Sequence, residues 1–144
     1  MQPEPSGGSS SFSEGLCALL KSAGVLKTSV IRVAGQGGMH ALVWLCRHGY
    51  EQVGFMHGFS PAEPADVVLA PDAGRPDALD EILSQASHLA PGGLVVLRTR
   101  CGAASDLLGQ RGFRIERRLR GRHRDVYVAR RCAPAALSAV AAAR

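Results

Sequence analysis

The chain has 144 residues, of which 46% are hydrophobic and 20% charged, and its formal net charge is +5. This length and composition are typical of one soluble globular domain and exclude an intrinsically disordered chain. No apolar run reaches the roughly 20 residues of a membrane-spanning helix, and the N-terminus lacks the basic and apolar regions of a secretion signal. We therefore expect a cytoplasmic protein that has no membrane partner.

The cysteines and histidines do not have the spacing of a metal site. The four cysteines form no C-x-x-C pair, which favours buried reduced thiols over a disulfide framework or a zinc site. The five histidines include no H-E-x-x-H motif and no cluster with cysteine. We therefore expect no metal cofactor. The positive net charge favours an anionic partner, because charge governs association rather than fold.

The two ends of the chain differ in composition from the segment between them. Residues 1–10 are rich in Pro, Gly and Ser, and we expect them to be a disordered tail. A capping box at Ser11–Glu14 predicts the start of a helix, whose apolar stripe packs on a sheet and whose end lies at Gly24. The predicted domain covers residues 11–131, and residues 132–144 are expected to be a tail that is either helical or frayed.

The stretch Thr28–Tyr50 organises the rest of the chain. A β-rich run at Val30–Val33 is followed by the glycine cluster Gly35-Gln36-Gly37-Gly38 and then by an apolar segment at Met39–His48. Strand, glycine loop and helix in this order are typical of α/β domains that bind dinucleotides or nucleosides. Glycine lets backbone amides approach a ligand closely, and the next helix N-terminus favours a carboxylate or phosphate. Alternatively, the glycines only make a tight turn between strand and helix.

Strands and helices alternate after this unit. Short apolar runs predict strands at Gln52–Met56, Ala65–Ala70 and Leu94–Leu97. Helix-start signals and helical spacing predict helices that begin at Arg75 and at Ala103.

The last part of the domain completes the predicted sheet. Alternating apolar residues between Phe113 and Val128 predict two strands that form an antiparallel hairpin at the sheet edge. Only about ten residues separate the second strand from Ala65, which is too few for a helix and a further strand. These elements predict an α/β fold, a three-layer sandwich whose mostly parallel sheet has a C-terminal antiparallel hairpin.

Three segments resemble the class I S-adenosylmethionine-dependent methyltransferases. They are VAGQGG at Val33–Gly38, ADVVL at Ala65–Leu69, and the helix, L-x-P-G-G turn and strand at Leu79–Thr99. The resemblance implies a three-layer Rossmann-like sandwich, from whose sheet this chain lacks one edge strand, and S-adenosylmethionine as cofactor. It also implies that the loop residues Gly35, Gln36, Gly37 and Gly38 cradle the methionine part of that cofactor.

The chain departs from the family pattern at several cofactor positions. Val33 stands where the family usually has an acidic residue, and Met39 stands in place of a third glycine. The second strand ends in Phe55-Met56-His57-Gly58, where the family supplies a carboxylate to the ribose, and His57 is the candidate ribose donor. Asp72 follows a central strand, where sites in such sheets collect, and it is a candidate base or a turn cap.

Arginine is concentrated in the C-terminal hairpin, where Glu116 and Asp125 are the opposing acidic residues. Guanidinium groups on one strand face can contact phosphates, with an affinity that falls as salt rises. The candidate anion- or nucleic-acid-binding residues are Arg117, Arg118, Arg120 and Arg122. The alternatives are an edge strand that charge protects against aggregation and a surface for an acidic protein partner.

These features lead to three hypotheses about function. The favoured one is a methyltransferase-like protein with weakened or lost catalysis, which acts as a binding or regulatory module. The second is an active small S-adenosylmethionine-dependent methyltransferase, in which alignment and desolvation drive in-line methyl transfer. The third is a nucleic-acid-binding protein that uses the hairpin arginines. The sequence names neither a methyl acceptor nor an oligomeric state.

Overall fold

A computed structural model describes residues 7–56, 65–87 and 89–132, so most of the expected C-terminal tail lies outside the described ranges. The helices are α1 (Gly7–Ser22), α2 (Gly38–Arg47), α3 (Pro76–Ala86) and α4 (Ala104–Gln110). The strands are β1 (Val30–Val33), β2 (Gln52–Phe55), β3 (Val67–Ala70), β4 (Leu94–Thr99), β5 (Phe113–Leu119) and β6 (Asp125–Arg131). No helix in these ranges is long and apolar enough to cross a membrane.

The strands form one mixed sheet in the order β2-β1-β3-β4-β6-β5. Strands β1 to β4 are parallel, while β6 runs antiparallel between β4 and β5. Ile31 pairs with Val53 on one side and with Val67 on the other, so β1 lies inside the sheet. The predicted α/β fold with a C-terminal antiparallel hairpin is confirmed. Among the described strands, β2 is the outermost on its side, as expected from the short connection to β3.

Helices cover both faces of the sheet. On one face α1 and α2 pack against the strands and bury Leu20 and Leu45 completely. On the other face α3 and α4 bury Leu83 and Leu108 completely. The central strands β3 and β4 are therefore covered on both sides, which explains why their sequences are continuous apolar runs.

The first helix begins earlier than the sequence predicts. Because α1 starts at Gly7, the predicted start at Ser11 was wrong, and the expected disorder of residues 1–10 does not hold for residues 7–10. Later turns of α1 are anchored by buried leucines, and adding turns to an existing helix costs little free energy. The predicted end at Gly24 is confirmed by its left-handed φ of +86° just after the helix.

Candidate functional site

The loop after β1 has a conformation that requires glycine. Gly35 and Gly37 adopt φ angles of +80° and +78°, in the left-handed region that favours glycine. The Gly38 amide donates a hydrogen bond to the Gly35 carbonyl at 3.3 Å, and α2 begins at Gly38. The structure thus confirms the order of strand, glycine loop and helix, and it places the N-terminus of α2 at the carboxyl edge of the sheet.

Two of these glycines also allow close packing. A Cβ atom at Gly35 would lie 3.2 Å from the carbonyl oxygen of Asp72, in the loop after β3. A Cβ atom at Gly38 would lie 3.4 Å from side-chain atoms of Val33 and Phe55. Turn geometry and packing therefore account for Gly35 without a ligand, while the contacts at Gly38 would be close to ordinary van der Waals distances. The exposed Gln36 lies between the two glycines.

A crevice with a volume of about 350 Å³ opens where β1 and β2 end. This volume falls within the range of roughly 300–1,000 Å³ that is typical of small-molecule sites. Of the predicted cofactor residues, Gly35 lines the crevice, Gln36 to Gly38 lie beside it in the same loop, and His57 lies outside the described residues. The walls are Val33, Ala34, Gly35, Phe55, Met56, Ala78, Glu81, Ile82 and Gln85.

The strand ends give the crevice apolar walls. Val33 is 1% exposed and packs in the core on the α2 side, so the end of β1 offers no side-chain acceptor. Phe55, which is 40% exposed, and the buried Met56 place apolar groups at the end of β2. The polar side chains of the described walls are Glu81 and Gln85, both exposed on α3. The carboxylate of this crevice therefore comes from a helix and not from a strand end.

Sequence reasoning missed Glu81 and Gln85 as members of the site. Their spacing of four residues places both on one face of α3, together with Ala78 and Ile82. This spacing is a signal in the sequence, but it does not show which strand end that face adjoins. The order of the strands is what brings the face of α3 against the glycine loop.

Asp72 lies in the loop after β3, at the same edge of the sheet as the glycine loop. Its Oδ2 atom lies 3.6 Å from Nη2 of Arg124, so its carboxylate is ion-paired with the segment that connects β5 and β6. Arg98 Nε donates a hydrogen bond to the Pro71 carbonyl at 3.0 Å and ties the same loop to β4. Asp72 is not among the residues that line the crevice. The candidate base therefore faces a guanidinium group.

Two of the four candidate anion-binding arginines have intramolecular partners. Nη2 and Nε of Arg118 donate hydrogen bonds to Oδ2 of Asp125 at 2.7 and 3.1 Å. The hydrogen bond from Arg118 is the main reason why the pKa of Asp125 lies below its ordinary value. Arg117 Nη1 donates to the Ser22 hydroxyl at 3.0 Å. These two arginines join the hairpin to itself and to the end of α1.

The other two candidates, Arg120 and Arg122, lie exposed in the connection between β5 and β6. Arg122 makes no hydrogen bond or ion pair with another described residue. Arg120 is near enough to Asp125 to contribute, as the smallest cause, to the lowered pKa of that carboxylate. Positive charge in this region is thus least compensated at the turn of the hairpin.

Comparison with known proteins identifies the fold. No protein-family model matches the sequence, and no curated protein matches it. The structure is similar to SAM-bound CalS10, an amino pentose methyltransferase from Micromonospora echinaspora, with a TM-score of 0.55 and 14% identity over 84% of this chain and 90% of that chain. It is also similar to the ribosomal protein L11 methylase from Lactobacillus delbrueckii, with a TM-score of 0.54 and 16% identity over 85% and 67% of the two chains.

A third similar structure is the precorrin-6y C5,15-methyltransferase from Geobacter metallireducens, with a TM-score of 0.53 and 16% identity over 81% of this chain and 87% of that chain. The chain therefore has the Rossmann-like fold of the class I S-adenosylmethionine-dependent methyltransferases. The resemblance that three sequence segments indicate is confirmed at the level of the fold. Identities this low establish the fold alone.

Proposed function

We propose that this chain is a methyltransferase-like protein that binds S-adenosylmethionine or S-adenosylhomocysteine weakly and acts as a binding or regulatory module rather than as a catalyst. The observation that supports this most is the apolar lining where β1 and β2 end. The family resemblance implies acidic groups at these two places. Here Val33 is buried in the core and Phe55 presents an aromatic ring.

The crevice fits the cofactor in size and only partly in chemistry. Its volume of about 350 Å³ suits a small molecule. The loop at Gly35 allows close approach of the backbone, and the N-terminus of α2 favours a carboxylate. Ribose hydroxyls donate hydrogen bonds, and Glu81 is the carboxylate acceptor that the described walls offer. The residues therefore support binding through the loop and α3.

Because carboxylate acceptors are missing where β1 and β2 end, we expect the cofactor to bind weakly. A hydrogen bond to a charged group contributes about 1.5–3 kcal/mol, so each lost carboxylate weakens binding by roughly 10- to 100-fold. Methyl transfer also depends on close alignment of the reacting groups, which weak binding does not supply. Asp72 is paired with Arg124 and is not part of the crevice lining. These features favour a binding role over a catalytic one.

Calorimetric titration of the full chain with S-adenosylhomocysteine tests the proposal, with CalS10 titrated in parallel as a reference. We expect saturable binding that is at least about 100-fold weaker than that of CalS10. Gly35→Val should abolish it, because a side chain there would meet the Asp72 carbonyl. Glu81→Gln should weaken it without disturbing the fold, since Glu81 is exposed. Gly109→Ala is the control, because a Cβ atom there meets nothing within 4 Å.

Two opposite results would contradict the proposal: tight binding or catalysis on the one hand, and no binding in the crevice on the other. Binding as tight as that of CalS10, or methyl transfer by the purified chain to an added acceptor, would favour the alternative of an active small S-adenosylmethionine-dependent methyltransferase. No heat of binding at saturating concentrations, or equal binding by wild type and Gly35→Val, would exclude the crevice as a cofactor site.

A further inference from the structure

A second cavity, with a volume of about 470 Å³, lies between α1 and the β5–β6 hairpin. The described walls of this cavity and of the crevice beside Gly35 have no residue in common. Part of its wall is cationic, and we call the cavity the arginine groove. Its cationic side chains and its one histidine are Arg98, Arg122, His123 and Arg124.

The described walls of the arginine groove carry positive charge and no carboxylate. Burial lowers the pKa of Arg98, and the nearby Arg124 lowers it further, while Asp72 acts in the opposite direction. Asp72 also lies 3.6 Å from Arg124, so its carboxylate acts on both guanidinium groups. Among the described residues that line the groove there is no Asp or Glu, and Arg122 has no ion pair. This excess of charge favours an anion in the groove.

One guanidinium nitrogen of the groove is shielded from solvent without an acceptor. Among the described atoms, Nε of Arg124 has no hydrogen-bond partner. Such unpaired donors are rare in native proteins, because burial without a partner costs free energy. Guanidinium groups bind carboxylates and phosphates through paired N–H groups. A carboxylate or phosphate in the groove would therefore meet, in Arg124, a guanidinium group whose N–H donors are not all paired.

The remaining walls of the groove are apolar. Leu16 and Leu19 come from α1, and Leu119 and Val126 come from the hairpin. His123 is the only aromatic ring in the described lining, which contains no Phe, Tyr or Trp, so the groove offers no run of stacking platforms for successive bases. An apolar wall beside a cationic one fits an oxyanion attached to an aliphatic group better than it fits a polynucleotide.

We propose that the arginine groove binds an amphipathic organic anion. Its carboxylate or phosphate lies between Arg122 and Arg124, and its aliphatic part lies over Leu119 and Val126. The proposal does not rest on cofactor binding beside Gly35, because none of the described residues lines both cavities.

Calorimetric titration of the full chain with octyl phosphate, octanoate, octanol and octylamine tests this proposal. The four probes share an aliphatic chain and differ in the head group, and each is used below its critical micelle concentration. We expect saturable binding of the anions, with octanol and octylamine at least about tenfold weaker. The stronger of the two anionic probes identifies the head group as phosphate or carboxylate.

Variants of exposed groove residues complete the test. Arg122→Ala and Leu119→Asn should each weaken binding of the anionic probes about tenfold, with circular dichroism to confirm folding. Arg47→Ala removes the same charge at the far end of α2 and should leave the affinity unchanged. Octanol binding as tightly as the anions, or Arg122→Ala binding as wild type, would overturn the proposal. A short single-stranded oligonucleotide or a polyglutamate peptide that binds more tightly than the anionic octyl probes would also overturn it, provided that Arg122→Ala weakens that binding.

Discussion

Asp72 contacts Arg124 through its carboxylate, at 3.6 Å, and its backbone carbonyl oxygen lies 3.2 Å from where a Cβ atom of Gly35 would stand. One loop residue therefore contacts a wall of the arginine groove and leaves no room for a side chain at Gly35 in the glycine loop. This follows from the sheet order, in which β3 lies between β1 and β4. Asp72 itself lines neither cavity, and the described walls of the two cavities have no residue in common.

The ion pair between Asp72 and Arg124 should contribute modestly to stability. Their side chains are 24% and 32% exposed, and pairs of this kind contribute at most about 1 kcal/mol. A double-mutant cycle of Asp72→Asn and Arg124→Gln, measured by urea unfolding, should give a coupling of about 0.5–1 kcal/mol. Asp72→Asn should also tighten binding of octyl phosphate, because the competing carboxylate is gone. A coupling of zero together with unchanged binding would show that the pair does not act on the groove.

Substitution of Gly35 should cost more stability than substitution of another left-handed glycine. A residue with a Cβ atom in the left-handed conformation lowers the free energy of unfolding by about 1–2 kcal/mol. Gly24→Ala, where a Cβ atom meets nothing within 4 Å, should show that loss alone. Gly35→Ala should lose more, because its Cβ atom also meets the Asp72 carbonyl. Equal free energies of unfolding for the two variants would mean that the close approach at Gly35 is unimportant.

A carboxylate placed at the end of β2 should strengthen cofactor binding. Phe55 lines the crevice and is 40% exposed, so Phe55→Asp adds a charged acceptor without burying it. We expect S-adenosylhomocysteine to bind about tenfold more tightly, because one charge-assisted hydrogen bond is gained. Phe55→Asn removes the same ring without adding charge and is the control. Equal affinities for the two variants in calorimetry would argue against a lost ribose ligand at this position.

The stability of the hairpin should depend on pH through Glu116. Its Oε2 atom accepts hydrogen bonds from Arg130 Nε at 2.9 Å and Arg114 Nη2 at 3.4 Å. The bond from Arg130 is the largest cause that holds the pKa of Glu116 below its ordinary value of 4.5. Because the folded pKa is the lower one, this stabilisation is present above the unfolded pKa and is lost as the pH falls through the folded pKa.

Thermal unfolding of wild type and Glu116→Gln, measured from neutral pH down to pH values below the folded pKa of Glu116, checks the prediction. At neutral pH the variant should have the lower Tm, and the two curves should converge in acid, where wild-type Glu116 is protonated. An NMR titration of the Glu116 side chain measures the pKa directly. A Tm difference that stays constant into acid would mean that the charge of Glu116 does not stabilise the hairpin.

Most elements of the fold could be predicted because their signals are local. The continuous apolar run of β4 and the helical spacing of α3 indicate which side chains are buried. Both elements lie where the sequence predicts them. The start of α1 could not be placed from the capping box at Ser11. Helix propagation from turns anchored on the sheet extends it to Gly7, and anchoring is a tertiary effect.

The candidate site was predictable only in part. A left-handed turn restricts its own residues, so Gly35 and Gly37 could be recognised from their positions between strand and helix. Glu81 carries no such signal, because an exposed glutamate on a helix is ordinary until the neighbouring strand is known. The partners that Arg117 and Arg118 have within the chain could likewise not be predicted from the sequence.

By itself the sequence determined the order of strands and helices, the glycine turn and the absence of acidic residues where β1 and β2 end. Each of these is a property of neighbouring residues. Only the tertiary structure decided that Arg124 meets Asp72, that Arg117 meets Ser22 and that α3 closes the crevice. These groups lie far apart along the chain, and the hydrogen-bonded order of the strands is what brings them within a few ångströms of one another.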